Sequence, residues 1–241
     1  MRSRASARAS AMDEAGVAGD EADMTALLTD DAQRLWDAAQ ALNRAAAAVS
    51  PAAGRLPPLL FFTDPARTPR PWETAARLPA GAGVVFRHFG AADALDQARR
   101  LRQATRSAGV RLLIGLDAEL AQAVAADGVH LPERALSTAY GLSERYPGWI
   151  MTGAAHSKEA LNTVRALDAV VLSPVFPAGG ASASRPSLGL GGLAELAAAA
   201  PCRAYALGGV TAANAATLTG VCGLAAVDSI AKAFGPDTIR T

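Results

Sequence analysis

An alternation of short apolar runs with alanine-rich segments is the feature that most constrains how this chain can fold. From Leu59 onward the alternation repeats eight times, and intervening segments such as AADALDQARRLRQATRSAG have helical spacing. Near-continuous apolar strands that alternate with helices predict a parallel sheet covered by helices. Eight units predict a closed (β/α)8 TIM barrel, because a doubly wound sheet usually has fewer strands and a clear switch point. The predicted strands are LLFFT from Leu59, GVVFRH from Gly83, VRLLIG from Val110, DGVHL from Asp127, WIMTG from Trp149, DAVVLS from Asp168, CRAYALGG from Cys202 and GLAAVD from Gly223.

Two segments precede the barrel, which we predict to span residues 59–241. Residues 1–28 hold no apolar run long enough for a signal peptide or a membrane span, and we predict a disordered extension there. A transit peptide remains an alternative for its basic beginning, and Met12 and Met24 remain alternative starts. Residues 29–58 open with a cap and an acidic first turn, which predict an accessory helix before a Pro-rich link. The apolar face of this helix is formed by Leu35, Trp36, Ala39 and Leu42.

Charge and cysteine content exclude several classes of partner. The 23 basic and 22 acidic residues leave a net charge of +1, and no long basic run marks a nucleic-acid binder. Cys202 and Cys222 form neither a C-x-x-C pair nor a metal cluster, which favours a reducing cytoplasm over secretion. We therefore expect a cytoplasmic protein that binds small molecules and neither nucleic acid nor a membrane, with a homo-oligomer left open.

Polar residues stand where the predicted strands end, which is where a barrel of this kind builds its active site. All three histidines of the chain are among them, and imidazole is a common metal ligand. Neither an H-x-x-x-H nor an H-E-x-x-H spacing occurs, so a hydrogen bond from each histidine to a backbone carbonyl is the stronger alternative. The strand-end residues are Thr63, Asp64, Arg87, His88, His130, Thr152, His156, Ser173, Asp228 and Ser229.

Two loops at this end have compositions that suggest ligand binding. PVFPAGGASASRPSLG, after the sixth strand, predicts an active-site loop or lid, with a tolerated surface insertion as the alternative. After the seventh strand, Gly208 and Gly209 would let a phosphate approach backbone N–H groups, and the helix predicted from Asp228 would add its partial positive charge. A tight turn is the alternative for these glycines. Thr211 is the predicted cap of a helix in TAANAATLTG.

Six motifs in this order resemble the thiamine phosphate synthase and TenI superfamily, barrels of thiamine biosynthesis. The motifs are FFTD (61–64), ADGVHL (126–131), TGAAHS (152–157), SPVFP (173–177), ALGGVTAAN (206–214) and GLAAVDSI (223–230). The resemblance implies a synthase that joins hydroxymethylpyrimidine pyrophosphate to thiazole phosphate and releases pyrophosphate with the help of Mg²⁺. The relatives that aromatise the thiazole carry a histidine in the SPVFP segment, and Pro174 stands at that position here.

The resemblance transfers unevenly to single residues. Arg87 matches an arginine that binds pyrophosphate, whereas Val85 and Phe89 replace the glutamine and lysine beside it. The chain has only two lysines, Lys158 and Lys232, and neither aligns with the loop lysine of the family, so Arg185 is the substitute cation.

The predicted sites therefore combine residue chemistry with this resemblance. Asp117 and Glu133 are the only carboxylates near the expected Mg²⁺ site, and Asp228 replaces a serine near the thiazole phosphate. We predict Arg87, His130 and His156 as catalytic residues. The predicted substrate and phosphate ligands are Thr63, Ser173, Arg185, Gly208, Gly209, Asp228 and Ser229.

Three functions remain open at this point. The first is a divergent thiamine phosphate synthase, in which Arg87, Arg185 and a histidine, His88 or His130, neutralise the leaving group. The second is a barrel that binds a phosphorylated thiamine precursor or another metabolite without turnover. The third is an isomerase on the same scaffold that uses Asp64, His130 or His156 in acid–base chemistry.

Overall fold

The computed structural model describes residues 28–180 and 183–236 and contains a closed barrel of eight parallel strands. Each strand pairs with the next along the chain, and β1 pairs with β8, with Phe61 opposite Ala226. The predicted barrel is thus confirmed. Of the disordered extension predicted over residues 1–28, positions 1–27 lie outside the residues that the structure describes. The strands are β1 (Leu59–Phe62), β2 (Gly83–Phe86), β3 (Arg111–Gly115), β4 (Gly128–Leu131), β5 (Ile150–Ala155), β6 (Ala169–Leu172), β7 (Arg203–Leu207) and β8 (Gly223–Ala226).

The strands are mainly apolar because both of their faces are buried along most of their length. Outward-facing side chains such as Leu59 and Phe61 pack in one core with the helices. Side chains that point inward form a second core that fills the barrel. Its strand members are Leu60, Phe62, Val85, Leu113, Ala169, Val171, Tyr205 and Ala225.

The helices follow the predicted alternation except after β7. They are α1 (Asp30–Val49), α2 (Pro71–Ala75), α3 (Ala94–Ser107), α4 (Ala118–Ala123), α5 (Ala139–Arg145), α6 (Lys158–Asn162), α7 (Gly189–Ala199) and α8 (Asp228–Phe234). The prediction of a helix in TAANAATLTG is wrong, because this segment forms only a 3-10 turn, Ala215–Thr217. The Asn214 side chain accepts a hydrogen bond from the N–H of Thr211 and donates one to the carbonyl of Gly209, which ties the segment into a loop. Helix α1 packs against this turn and against β8.

Helix α1 begins at the predicted cap. The Thr29 hydroxyl oxygen accepts a hydrogen bond from the N–H of Ala32, and the hydroxyl donates to the Ala233 carbonyl of α8 at 3.2 Å. The face of α1 that packs on the barrel includes the predicted Leu35, Ala39 and Leu42, which are buried.

The amino-terminal end of the barrel is closed by the segment that follows α1. A 3-10 helix, Pro51–Arg55, lies across this end, and the Tyr205 hydroxyl inside the barrel donates to the Pro57 carbonyl at 2.7 Å. The Asn43 side-chain nitrogen lies 3.0–3.2 Å from the carbonyl oxygens of Ala53, Leu56 and Cys222. A ligand must therefore enter at the opposite, carboxyl-terminal mouth. In the described part of the chain, no helix has the length and apolar character needed to cross a membrane.

Candidate active site

Arg87, which follows β2, is a rigidly held cation at the mouth of the barrel. Its backbone N–H donates to the hydroxyl of buried Thr63, and its Nε donates to the Thr63 carbonyl at 2.7 Å. The guanidinium lies over the Phe62 ring at 5.4 Å and over the Phe89 ring at 5.6 Å. Its Nη2 atom is buried without a hydrogen-bond partner among the described residues and lies 3.9 Å from the nearest oxygen of Asp64. This unused donor suits an anionic ligand.

His130 lies beside Arg87 in the centre of the barrel and is neutral. Its ring meets the Phe62 ring edge-on at 4.9 Å, and its Nδ1 is 3.0 Å from the Thr152 hydroxyl oxygen. Burial, together with the positive charge of Arg87 and the nearby His156, lowers the pKa of His130 to about 3. His130 therefore offers hydrogen bonds at neutral pH and does not supply the positive charge that the sequence led us to consider for it.

His156 is oriented by the strand next to its own. Its Nδ1 donates to the Ser173 carbonyl at 2.7 Å, as the alternative drawn from the sequence proposed for the histidines, and the Ser173 hydroxyl oxygen is 3.3 Å from the same nitrogen. Because a carbonyl only accepts hydrogen bonds, Nδ1 carries a proton, and Nε2 is the other hydrogen-bonding atom of the ring.

The carboxylates expected at a Mg²⁺ site are engaged elsewhere. Asp117 caps α4 by accepting from the N–H of Leu120, and its other oxygen is 3.7 Å from Nε2 of His88. Glu133 accepts from the backbone N–H of His156 at 2.8 Å. Within residues 28–180 and 183–236, no three His, Cys, Asp or Glu side chains form a group able to hold a metal ion. The described residues thus do not fit the Mg²⁺ that the resemblance implies.

Arg67, which sequence reasoning missed, links the two acidic strand-end residues. Its Nη1 donates to Asp228 at 2.8 Å and its Nη2 to Asp64 at 3.3 Å. Burial favours a higher pKa for Asp64, but hydrogen bonds from the Arg67 side chain and backbone outweigh it and hold this pKa below its usual value. Asp64 is accordingly a weak base, which counts against an isomerase built on it. The sequence signal available for Arg67 was an arginine five positions after the end of β1, in TDPAR.

The glycines after β7 are packed against the loop that follows β6. Gly208 and Gly209 have φ values of 95° and 64°, which favour glycine. A Cβ on Gly208 would lie 2.7 Å from Pro174 Cα, and one on Gly209 would lie 2.5 Å from the Pro177 carbonyl oxygen. The Phe176 N–H donates to the Gly208 carbonyl at 3.0 Å. These glycines therefore dock the β6 loop.

The remaining predicted ligands differ in how firmly they are held. Ser229 lies at the start of α8, and its hydroxyl donates to the Val210 carbonyl at 2.7 Å. Arg185 is exposed in the β6 loop and makes no hydrogen bond or ion pair with the described residues. The structure thus brings Thr63, Arg87 and His130 together around the Phe62 ring. It pairs His156 with Ser173 in a second group. Arg185 makes no hydrogen bond or ion pair with either group among the described residues.

Comparisons with known proteins agree with this architecture. The family model described as thiamine monophosphate synthase matches residues 63–230. A thiamine-phosphate synthase from Laribacter hongkongensis is 33% identical over 182 residues, which cover 69% of this chain and 82% of that protein. One from Methanoculleus marisnigri is 33% identical over 64% of this chain and 78% of its own length.

A solved structure extends the likeness to the fold. Thiamine phosphate pyrophosphorylase from Pyrococcus furiosus superposes with a TM-score of 0.62 at 23% identity, covering 76% of this chain and 93% of that chain. At this identity the superposition supports the barrel fold alone. The match of the family model over residues 63–230 carries the assignment, and the chain belongs to the thiamine monophosphate synthase family.

Proposed function

We propose that this chain joins hydroxymethylpyrimidine pyrophosphate to a thiazole at the carboxyl-terminal mouth of its barrel. The bond between the pyrimidine methylene and the pyrophosphate oxygen breaks, and the pyrophosphate leaves with the electron pair. The thiazole nitrogen then bonds to the methylene carbon. Such a reaction needs orientation and neutralisation of the leaving group more than it needs proton transfer.

The observation that supports this proposal is the geometry of Arg87. The guanidinium is fixed by the Thr63 carbonyl and by two aromatic rings before any ligand arrives, and one buried donor remains unused. Burial and the neighbouring Arg67 lower the pKa of Arg87 while Asp64 raises it, and a guanidinium remains charged at neutral pH. A preorganised cation of this kind suits a leaving pyrophosphate.

Other residues at the mouth would complete the site. His130 and Thr152 present neutral polar groups below the cation, and His156 presents Nε2. Arg185 would approach the pyrophosphate from the β6 loop. No step requires Asp117 or Glu133.

An assay with purified protein tests the proposal. The pyrimidine pyrophosphate is supplied with thiazole phosphate or, in parallel, with the thiazole alcohol, with and without Mg²⁺, and the thiamine phosphate or thiamine formed is measured. We expect product, and we expect Arg87→Ala to lower kcat/KM by about 100-fold or more. Arg99→Ala is the matched control, because Arg99 is an exposed arginine on α3 that pairs with Asp96 of the same helix. Equal activity of Arg87→Ala and the unaltered protein would show that the role given to Arg87 is wrong.

A second candidate function is binding of a thiamine precursor without turnover. It is favoured by the carboxylates Asp117 and Glu133, which cap backbone N–H groups instead of forming a metal site. Absence of product together with a rise in the melting temperature on adding a thiazole would support this second function and overturn the first.

A further inference from the structure

We propose that Asp228 closes the β7–β8 side of the mouth to phosphate, so that the thiazole enters as its neutral alcohol and donates its hydroxyl to this carboxylate. The inference rests on the proposed function and specifies which form of the thiazole, the alcohol, is the substrate. Asp228 is thereby a specificity-determining residue.

The charges at this side of the mouth oppose an anion. Loops after the seventh and eighth strands are where barrels of this class usually bind phosphate. Here the guanidinium of Arg67 is shared by Asp228 at 2.8 Å and Asp64 at 3.3 Å, and Arg87 is a second cation 3.9 Å from Asp64. The two carboxylates thus balance the two guanidinium groups, and no excess positive charge is left beside Asp228 for an anion. Gly180 of the β6 loop lies against Arg67, since a Cβ there would be 3.2 Å from Cζ. A phosphate dianion would be repelled by the Asp228 carboxylate, and Arg67 could not offset this repulsion because its guanidinium already pairs with both Asp228 and Asp64.

The neutral groups at this side are occupied as well. The Ser229 hydroxyl donates its hydrogen bond to the Val210 carbonyl at 2.7 Å, so it cannot donate to a phosphate without breaking this bond. The Gly208 carbonyl accepts from the Phe176 N–H, and the Cβ directions of Gly208 and Gly209 point at Pro174 and Pro177 of the β6 loop. The β6 loop therefore packs closely against the glycines on this side of the mouth.

A hydroxyl group has the chemistry that this site accepts. The Asp228 side chain is 65% exposed, and only Oδ2 is paired with Arg67. The remaining oxygen can accept a hydrogen bond from an alcohol, whereas a phosphate dianion has no hydrogen to donate. The Asp228 carboxylate thus distinguishes the alcohol from its phosphate ester by charge and by hydrogen-bond direction.

Binding of inorganic phosphate tests the exclusion without reference to any reaction. Equilibrium dialysis with radiolabelled phosphate compares the unaltered protein with Asp228→Ser and with Asp228→Asn, which keeps the shape of the side chain. We expect both variants to bind phosphate at least about tenfold more tightly than the unaltered protein, because each removes the repelling charge. Asp96→Asn, an exposed carboxylate on α3, is the control and should change nothing. Equal phosphate affinity in the unaltered protein and both Asp228 variants would overturn the inference.

Competition between the two thiazoles tests the substrate. We expect a higher kcat/KM for the thiazole alcohol in the unaltered protein, and a shift of the ratio toward the phosphate ester by about tenfold or more in Asp228→Ser. A preference of the unaltered protein for the phosphate ester would overturn the inference even if turnover is observed. If neither thiazole reacts in any variant, the proposed function fails, and the phosphate-binding measurement still decides whether Asp228 excludes phosphate.

Discussion

Acidification should destabilise this barrel through His130, the buried imidazole at its centre. Burial lowers the pKa of His130 from 6.5 to about 3 in the folded protein. Between these two pH values the His130 imidazole is protonated in the unfolded chain and neutral in the folded chain. The contribution of His130 to the free energy of unfolding is therefore complete above pH 6.5 and declines as the pH falls toward 3. Proton linkage between these two pKa values gives a loss of about 2 kcal/mol between pH 7 and pH 5.

Urea unfolding at pH 7 and pH 5 measures this loss. The unaltered protein should lose about 2 kcal/mol more than His130→Gln between the two pH values, since glutamine cannot be protonated. Thr152→Val is the matched control, because it removes the hydroxyl beside Nδ1 and keeps the imidazole, and it should retain the pH dependence. NMR titration of the His130 ring should show no protonation above pH 5. Equal losses in the unaltered protein and His130→Gln, or a ring titrating near pH 6.5, would refute the reasoning.

Three further substitutions, with a fourth as a control, test packing and hydrogen bonding through the free energy of unfolding. Gly208→Ala should lower it by at least about 2 kcal/mol, because φ is 95° and the added methyl would lie 2.7 Å from the Pro174 backbone. Gly179→Ala, with nothing within 4 Å, should leave it nearly unchanged, and an equal loss in both variants would contradict this account. Asn43→Ala should lower it by about 1–3 kcal/mol by leaving backbone carbonyls without their donor, and an unchanged urea midpoint would argue against that role. Gly191→Ala in α7 should raise it by about 0.5–1 kcal/mol, because the added methyl meets open space in a helix, and a lower melting temperature would disprove this.

The barrel could be predicted because its determinants are local and repeated. Each strand is a short apolar run buried on both faces, and its partner is the next run along the chain. The cap of α1 could be predicted for the same reason, since Thr29 and Ala32 are three positions apart. The helix expected after β7 could not be excluded, because the alanines of TAANAATLTG favour a helix and a single side chain, Asn214, overrides them.

The candidate site was only partly accessible from the sequence. Strand ends located Thr63, Arg87 and His130, which meet because the carboxyl ends of parallel strands share one mouth. The ion pair between Arg67 and Asp228 joins residues 161 positions apart, and no spacing in a single sequence indicates it. The neutrality of His130 depends on burial and on nearby positive charge, both of which arise only in the folded barrel.

The pairing of β1 with β8 also sets an order of events during folding. Leu59 and Leu224 stand at opposite ends of the barrel sequence, so the sheet cannot close until its last strand is available. Until then β1 has an unpaired edge, and the apolar face of α1 lacks the β8 and α8 surfaces on which it packs. Asn43 spans this seam, since its side chain contacts carbonyls that precede β1 and the carbonyl of Cys222, directly before β8. Helix α1 therefore packs fully only after β8 and α8 have been synthesised, and a chain stalled before β8 would leave its apolar face exposed and open to aggregation.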